Sequence, residues 1–219
     1  MIYQPTPKMV QETDVTPAAV LDFTEVQTFL RLDGTTDQSL VNSLIEAVTK
    51  KIEDYTGRKF ITQVWSVYYD FFPKTSKEEA WWDGVRDGAI SELYAPIRFL
   101  ELPFGPCQSA YFVKTYDESD AASTFDASLY KVEQYSANPK VSLKSGGTWP
   151  SGVLRPTNGI QVKATFGYGS TGASVPAPIR EAIKIMVAKL YEHRGDEVTT
   201  DAIPKTAQVL LENYRTWRL

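Results

Sequence analysis

The clearest helical pattern in this chain covers residues 176–195, PAPIREAIKIMVAKLYEHRG. Pro178 suits a first helical turn, where its missing N–H is no loss, and Gly195 can take the left-handed conformation that ends a helix. Ile185 and Ala188 widen the apolar side, so we expect the helix to be covered from more than one direction. The apolar positions recur at spacings of three and four, and they are Ile179, Ala182, Ile183, Met186, Val187, Leu190 and Tyr191.

Two further helices are predicted earlier in the chain. Thr24 and Gln27 have the spacing of a capping box at the start of a short helix. Thr36 or Asp37 can cap a second helix, which Gly57 ends. Since neither helix can bury its apolar side on the other alone, we expect both to pack against the helix that follows Pro176. The apolar positions of the second helix are Leu40, Val41, Leu44, Ile45, Val48, Ile52 and Tyr55.

Between Gly57 and Pro176 the helical spacing gives way to short β-branched and aromatic runs separated by Gly, Pro, Asn and Asp. We therefore predict an α+β fold, a discontinuous α-helical bundle domain with an inserted small antiparallel β domain. The predicted strands are 62–72, 97–102, 110–116, 129–134, a short piece around Val141, and 160–166. The predicted parts are an extended N-terminal arm (1–19), the first helical part (20–58), the β domain (59–173) and the second helical part (174–219).

Composition excludes several classes of protein. A chain of 219 residues with 42% hydrophobic content can bury a core, and a net charge of −4 argues against a broad basic face for nucleic acid. The single cysteine, Cys107, allows no internal disulfide. We also expect no membrane span and no secretory signal, hence a protein made to stay inside a cell at first.

Chemistry-bearing residues are sparse, and no catalytic, cofactor-binding or metal-binding set is predicted. The only histidine, His193, lies near the end of the long helix, where capping explains it. Gly167, Gly169 and Gly172 superficially resemble a phosphate-binding loop, but the lysine and hydroxyl ending is missing. We interpret these glycines as a turn out of the last strand.

Two aromatic features lie outside the predicted elements. Trp81 and Trp82 stand in a long connection, residues 73–96. They either fold back on the β domain or anchor a neighbouring subunit. The terminal Trp217, Arg218 and Leu219 either dock on the helical domain or insert into another protein.

A series of phrases, in order, resembles the head-to-tail connector (adaptor) proteins of tailed bacteriophages and gene transfer particles. The resemblance covers most of residues 20–215, and no phrase is specific by itself. The 73–96 connection is longer than the family's usual link. The phrases are FTEVQTFLRLDGTTDQSLVNSLIEAVTKKIEDYTGRKFITQVW (23–65), LPFGPCQSAYFVKTYDESD (102–120), TWPSG (148–152), IQVKATFGYG (160–169) and VPAPIREAIKIMVAKLYEHRGD (175–196).

The resemblance implies a structural virion protein without enzymatic activity, located at the head-tail interface and, during assembly, in the host bacterial cytoplasm. Such connectors form a ring, commonly of about twelve subunits, between the portal protein and the neck or tail-completion proteins. Genome DNA passes through the ring without specific binding. The exposed aromatic residues near the end of the sequence, and not a residue-by-residue match to the family, give the expected portal contacts as Tyr214, Arg215, Trp217, Arg218 and Leu219. The expected contacts between subunits are Trp81, Trp82, Ile185, Lys189, His193 and Arg194.

One alternative comes from a different class of protein. The β domain could bind a carbohydrate of the host surface, or another virion protein, with Trp81, Trp82 and Trp149 as stacking platforms.

Overall fold

The long helix and its predicted partners share one core in the computed structural model. The structure describes residues 2–3, 5–12, 18–75, 98–134, 138–193 and 203–216. The chain divides into two compact units. The helical unit comprises the described parts of 13–63, 104–108 and 166–219, and the β unit those of 1–12, 64–103 and 109–165. The helices, all in the helical unit, are α1 (Phe23–Leu30), α2 (Gln38–Thr56), α3 (Ala177–Glu192) and α4 (Lys205–Leu211).

The core of the helical unit confirms the predicted packing. Helix α3 contacts α1, α2 and α4, so it is covered from several directions as its wide apolar side predicted. Of the predicted apolar positions of α2, Val41, Ile45, Val48 and Ile52 are almost fully buried. Leu44 and Tyr55 are partly buried against the same core, and Leu40 is 37% exposed. The central buried side chains are Val26, Val41, Ile45, Val48, Ile52, Ile179, Ala182, Ile183, Met186, Val187, Ala207 and Leu211.

The helix ends agree with the sequence in part. Gly57 ends α2 with a left-handed φ of 67°, and Pro178 lies in the first turn of α3, both as predicted. The capping box of Thr24 and Gln27 is wrong, because α1 begins one residue earlier, at Phe23, after Asp22. The amide of Gln27 instead donates to the carbonyl oxygens of the loop after α1, at 2.8 Å from that of Gly34.

Asp37 precedes α2, yet its side chain makes no capping hydrogen bond to the start of the helix. Its carboxylate accepts a hydrogen bond from the hydroxyl of Tyr191, near the end of α3. The predicted side-chain cap is therefore replaced by a contact that ties the start of α2 to the end of α3.

The β unit contains two larger sheets. One has five strands in the order β2-β3-β10-β6-β7, and the other has three in the order β5-β9-β8. The pairing of β2 with β3, of β6 with β7 and of β9 with both neighbours is antiparallel. Strand β10 has the predicted bounds. The strands are β1 (Ile2–Tyr3), β2 (Lys8–Gln11), β3 (Gln63–Tyr69), β4 (Lys74–Thr75), β5 (Phe99–Glu101), β6 (Cys107–Tyr116), β7 (Ala122–Thr124), β8 (Tyr130–Glu133), β9 (Lys140–Leu143) and β10 (Ile160–Phe166).

Part of the N-terminal stretch belongs to this sheet. Strand β2 pairs with β3, and β1 pairs with β4, so that residues 8–11 form an edge of the chain's own sheet. The Lys8 ammonium lies 2.9 Å from a carboxylate oxygen of Asp70, and the backbone N–H of Asn158 donates to the same oxygen at 2.7 Å. These contacts connect β2 to the loop that precedes β10.

Candidate partner interface on the helical unit

The predicted interface residues fall into two groups. Ile185, Lys189, His193, Tyr214 and Arg215 are described, and all belong to the helical unit. The others lie outside the described residues, namely Trp81, Trp82, Arg194, Trp217, Arg218 and Leu219.

At the end of α3, the described candidates contact the helix itself. Ile185 is half-buried and packs against the core of its own unit. His193 is exposed, and both its backbone N–H and its ring Nδ1 lie about 3 Å from the carbonyl oxygen of Lys189. His193 therefore caps the C-terminus of α3, in agreement with the role predicted from its position. That these residues contact a neighbouring subunit stays a prediction.

Tyr214 and Arg215 belong to a segment, residues 212–216, that follows α4. Its first three residues form a 3₁₀ turn, Glu212–Tyr214, after which Arg215 is extended. The segment lies on the turn that ends α2, which consists of Tyr55, Thr56, Gly57 and Arg58 and is called the 55–58 turn below. The two pieces are far apart in sequence, since Tyr214 comes 156 positions after Arg58.

The backbone of the 55–58 turn creates one of these contacts. The last carbonyl groups of an α-helix have no partner within the helix. The carbonyl oxygen of Thr56, the final residue of α2, accepts a hydrogen bond from the backbone N–H of Thr216 at 2.9 Å. A Cβ placed on Gly57 would lie 3.4 Å from the Cβ of Thr216. Glycine at this position thus provides the left-handed turn and also lies in van der Waals reach of the segment.

Arg58 makes the second contact. Its Nε donates to the carbonyl oxygen of Tyr214, and one terminal nitrogen lies 3.3 Å from the hydroxyl oxygen of Tyr168. Burial raises the pKa of the Tyr168 hydroxyl above its ordinary value, although the nearby Arg58 guanidinium opposes that rise. The phenol is therefore neutral at physiological pH and accepts from the guanidinium, whose planar fork can hold two acceptors at once.

In a third contact the segment supplies the cation, Arg215, and the turn supplies the ring of Tyr55. Its guanidinium carbon lies 5.1 Å from the centre of the Tyr55 ring, within the range of a cation–π interaction. The 55–58 turn therefore holds three consecutive residues, Tyr214, Arg215 and Thr216.

A buried ion pair joins the residues on either side of the 55–58 turn. Glu53 and Lys59 are 8% and 6% exposed, and the Lys59 ammonium lies 3.0 Å from the Glu53 carboxylate. The same carboxylate accepts from the backbone N–H of Phe60 at 2.9 Å and from the side-chain amide of Gln63 at 3.3 Å. The Lys59 ammonium also lies 4.8 Å from the centre of the Phe104 ring. The chain is thereby fixed on both sides of the 55–58 turn.

Sequence reasoning did not assign a role to Arg58, Glu53 or Lys59. The phrase YTGR, which contributed to the resemblance, contains Arg58, and that was the available signal. The burial of Glu53 and Lys59 had no signal, because charged residues at a helix end are usually solvated.

The described residues supply no set for metal binding. Within them, no group of three or more His, Cys, Asp or Glu is placed to hold a metal ion. The same residues contain no helix with the length and apolarity needed to cross a membrane.

The glycine-rich stretch is a turn, as the sequence predicted. Gly167 has a φ of 130°, and a Cβ there would stand 2.6 Å from backbone atoms of Ile61. A Cβ on Gly172 would stand 2.1 Å from the carbonyl oxygen of Val20. The glycines are required by close backbone contacts within the helical unit.

Trp149 belongs to an aromatic cluster of the β unit. Its ring stacks on Phe72, with centres 4.7 Å apart and planes 16° from parallel, and its centre lies 5.9 Å from that of Phe125. Phe125 in turn stacks on Tyr130. Phe72 covers one face of the indole, and the role of Trp149 as a carbohydrate platform stays a prediction. Trp81 and Trp82, the other residues of that hypothesis, lie outside the described residues.

A comparison with protein families found a match to one segment of the chain. Residues 21–80 match the family described as phage gp6-like head-tail connector protein. The matched segment includes α1, α2, the 55–58 turn and β3. The match confirms the predicted resemblance to head-to-tail connector proteins. A comparison with curated proteins found no match.

Solved structures extend the likeness to the whole fold. A chain from the neck of an empty GTA particle, computed with C6 symmetry, is 20% identical, with a TM-score of 0.70 over 97% of both chains. A chain from the virion of a native gene transfer agent (GTA) particle is 18% identical, with a TM-score of 0.70 over 96% of both. A chain from the neck of a native GTA particle, computed with C12 symmetry, is 21% identical, with a TM-score of 0.67 over 97% of both. The chain therefore has the fold of these proteins along nearly its whole length.

Proposed function

We propose that this chain, which shares the fold of gene transfer agent neck chains, is the subunit of a ring in the neck of a virus-like particle. The ring lies between the portal protein and the neck or tail-completion proteins, and it completes the DNA-filled head. The observation that carries this proposal is the fold shared over 97% of the chain with a neck protein, together with the connector family match in residues 21–80. The proposed role is structural and not enzymatic.

The proposed ring has about twelve subunits, and one of the similar structures was computed with C12 symmetry. The proposed location is the head-tail interface of the particle, after assembly in the host bacterial cytoplasm. Genome DNA passes through the ring, and the net charge of −4 suits such a conduit. Each Lys or Arg that neutralises a phosphate adds affinity, so a lumen that lets DNA slide should present few of them.

Native mass spectrometry and negative-stain microscopy test the ring. We expect the chain and its cognate portal protein, mixed together, to form a ring-shaped complex with about twelve copies of this chain. A chain that stays monomeric in the presence of the portal would contradict the proposal. The chain alone is the control, since it shows whether the portal acts as the template for the ring.

Within the proposed function, the end of the chain contacts the portal. The expected residues are Tyr214, Arg215, Trp217, Arg218 and Leu219, and the described part of this set lies on the 55–58 turn. A chain truncated after Tyr214 should keep its far-ultraviolet circular dichroism but no longer bind the portal protein in a pull-down assay. Undiminished binding by the truncated chain would refute this assignment.

A further inference from the structure

The 212–216 segment is held mainly through its backbone. Arg58 bonds the carbonyl oxygen of Tyr214, and the carbonyl of Thr56 accepts from the N–H of Thr216. Contacts to backbone atoms define the path of a segment, whatever its side chains are. Tyr55 then holds the side chain of Arg215 between those two points.

The holding groups are themselves rigid. Thr56 and Gly57 end a helix of 19 residues, whose inner face is buried in the core of the helical unit. The Arg58 guanidinium is oriented by its second partner, Tyr168, and the backbone N–H of Arg58 donates to the carbonyl oxygen of Glu53. The turn is therefore fixed by contacts that do not involve the segment.

We propose that the 55–58 turn is a clamp that fixes the path of the chain up to Thr216 before a partner binds, and that Arg58 is its main positioning residue. The proposal rests on the proposed function, because the chain around and beyond this point is the expected portal contact. In the clamp, Arg58 does not itself touch the partner. It keeps residues 214–216 ordered before binding, so that their backbone entropy is not lost in the binding step.

A different device would use the same contacts as a latch that opens when the partner binds. The two devices predict opposite effects. Loss of a clamp weakens partner binding, whereas loss of a latch leaves binding unchanged or strengthens it, because no contact then has to be broken. The backbone-directed contacts favour the clamp, since they hold the segment while the side chain of Arg215, an expected portal contact, remains exposed.

The first test removes the guanidinium with Arg58→Ala. Hydrogen exchange of the free protein should show faster exchange of residues 212–216 and unchanged protection of α3. Affinity for the cognate portal protein should fall at least tenfold. The matched control is Arg180→Ala, which removes another half-buried arginine of the helical unit, the partner of Glu25 in α1. Arg180→Ala should leave the hydrogen exchange of residues 212–216 and the affinity for the portal protein at their wild-type values.

The second test does not depend on Arg58. Thr216→Pro deletes the N–H that donates to Thr56, and the backbone of Arg215, with φ −71° and ψ 127°, already suits a residue before proline. Thr216→Ala keeps that N–H and serves as its control, since the Thr216 hydroxyl is buried without a hydrogen-bond partner in the described structure. We expect the proline variant to weaken portal binding at least tenfold and the alanine variant to bind like the wild type.

The outcomes separate the clamp from the proposed function. If the wild-type chain binds the portal and both Arg58→Ala and Thr216→Pro bind equally well or more tightly, the clamp is refuted and the connector role stands. Unchanged hydrogen exchange of 212–216 in Arg58→Ala would also refute it. If the wild-type chain does not bind the portal at all, the proposed function fails and the inference fails with it.

Discussion

The substitution Glu53→Gln isolates the buried ion pair beneath the 55–58 turn. The amide has nearly the same shape as the carboxylate and can still accept the hydrogen bond from the backbone N–H of Phe60, which is 2.9 Å long. What is lost is the negative charge opposite the Lys59 ammonium, 3.0 Å away, where both side chains are less than a tenth exposed. The substitution therefore leaves a buried cation without its counter-charge.

The expected cost is large. Breaking a buried ion pair by neutralising one partner typically costs about 3–5 kcal/mol, because the remaining charge is neither paired nor hydrated. With a urea slope of about 1.5 kcal/mol per molar, the unfolding midpoint should fall by roughly 2–3 M. The double variant Glu53→Gln with Lys59→Met should recover at least about half of the loss, because no unpaired charge remains and methionine can pack on the ring of Phe104.

Urea unfolding followed by circular dichroism at the helical wavelengths measures this effect selectively, since every described helix lies in the helical unit. Glu46→Gln is the matched control on the exposed side of α2 and should change stability by less than about 0.5 kcal/mol. A loss below about 1 kcal/mol for Glu53→Gln, or a double variant as unstable as the sum of the single variants, would refute the reasoning.

The remaining predictions concern the β unit and the glycine turn. Two hydrogen bonds to the Asp70 carboxylate hold its pKa below the ordinary value of 3.8. The larger effect comes from the side chain of Lys8 and the smaller from the backbone N–H of Asn158. Because the folded pKa is the lower one, this stabilisation is present above the unfolded pKa and is lost as the pH falls through the folded pKa. The thermal midpoint should therefore fall as the pH is lowered past the ordinary value of 3.8 towards the lower folded pKa, and it should fall less in Asp70→Asn; identical pH profiles would contradict this. Gly167→Ala should cost about 2–4 kcal/mol in urea unfolding, because its Cβ would stand 2.6 Å from the backbone of Ile61. The control Gly152→Ala, where a Cβ meets nothing within 4 Å, should be neutral, and equal stabilities of the two variants would show that the close contact is not limiting.

The helical core was predictable because its information is local. Ile179, Ile183 and Val187 recur at helical spacing, and each is fully buried in α3. Gly57 ended α2 as expected, since a left-handed residue there is favoured by glycine in any context. Strand β10 has the bounds predicted from its run of β-branched and aromatic residues.

Other elements depended on pairing with distant residues. In β2 the apolar residues are Met9 and Val10, 43% and 55% exposed, so no buried alternating pattern identifies the strand. It forms because Lys8–Gln11 pairs with β3. The three-residue β7 was missed for the same reason, since all its residues are exposed and it is defined by its pairing with β6.

Local capping rules failed where a tertiary partner competed for the same atoms. The carboxylate of Asp37 accepts from the Tyr191 hydroxyl and makes no capping hydrogen bond to its own helix. The free energy of a single cap, about 1 kcal/mol, is small enough for one long-range hydrogen bond to replace it.

The sequence by itself determined the α+β class, the order of α1, α2, α3 and the strands that bury apolar residues, and the phrases that resemble a connector. Each of these depends on residues within one or two turns of each other. Only the tertiary structure decided that Arg58 meets Tyr214, 156 positions later, and that Glu53 and Lys59 are buried as a pair. The physical reason is that hydrophobic periodicity specifies which face of an element is buried, whereas the partner of a polar group depends on which distant backbone and side chains the packed core brings within hydrogen-bond reach.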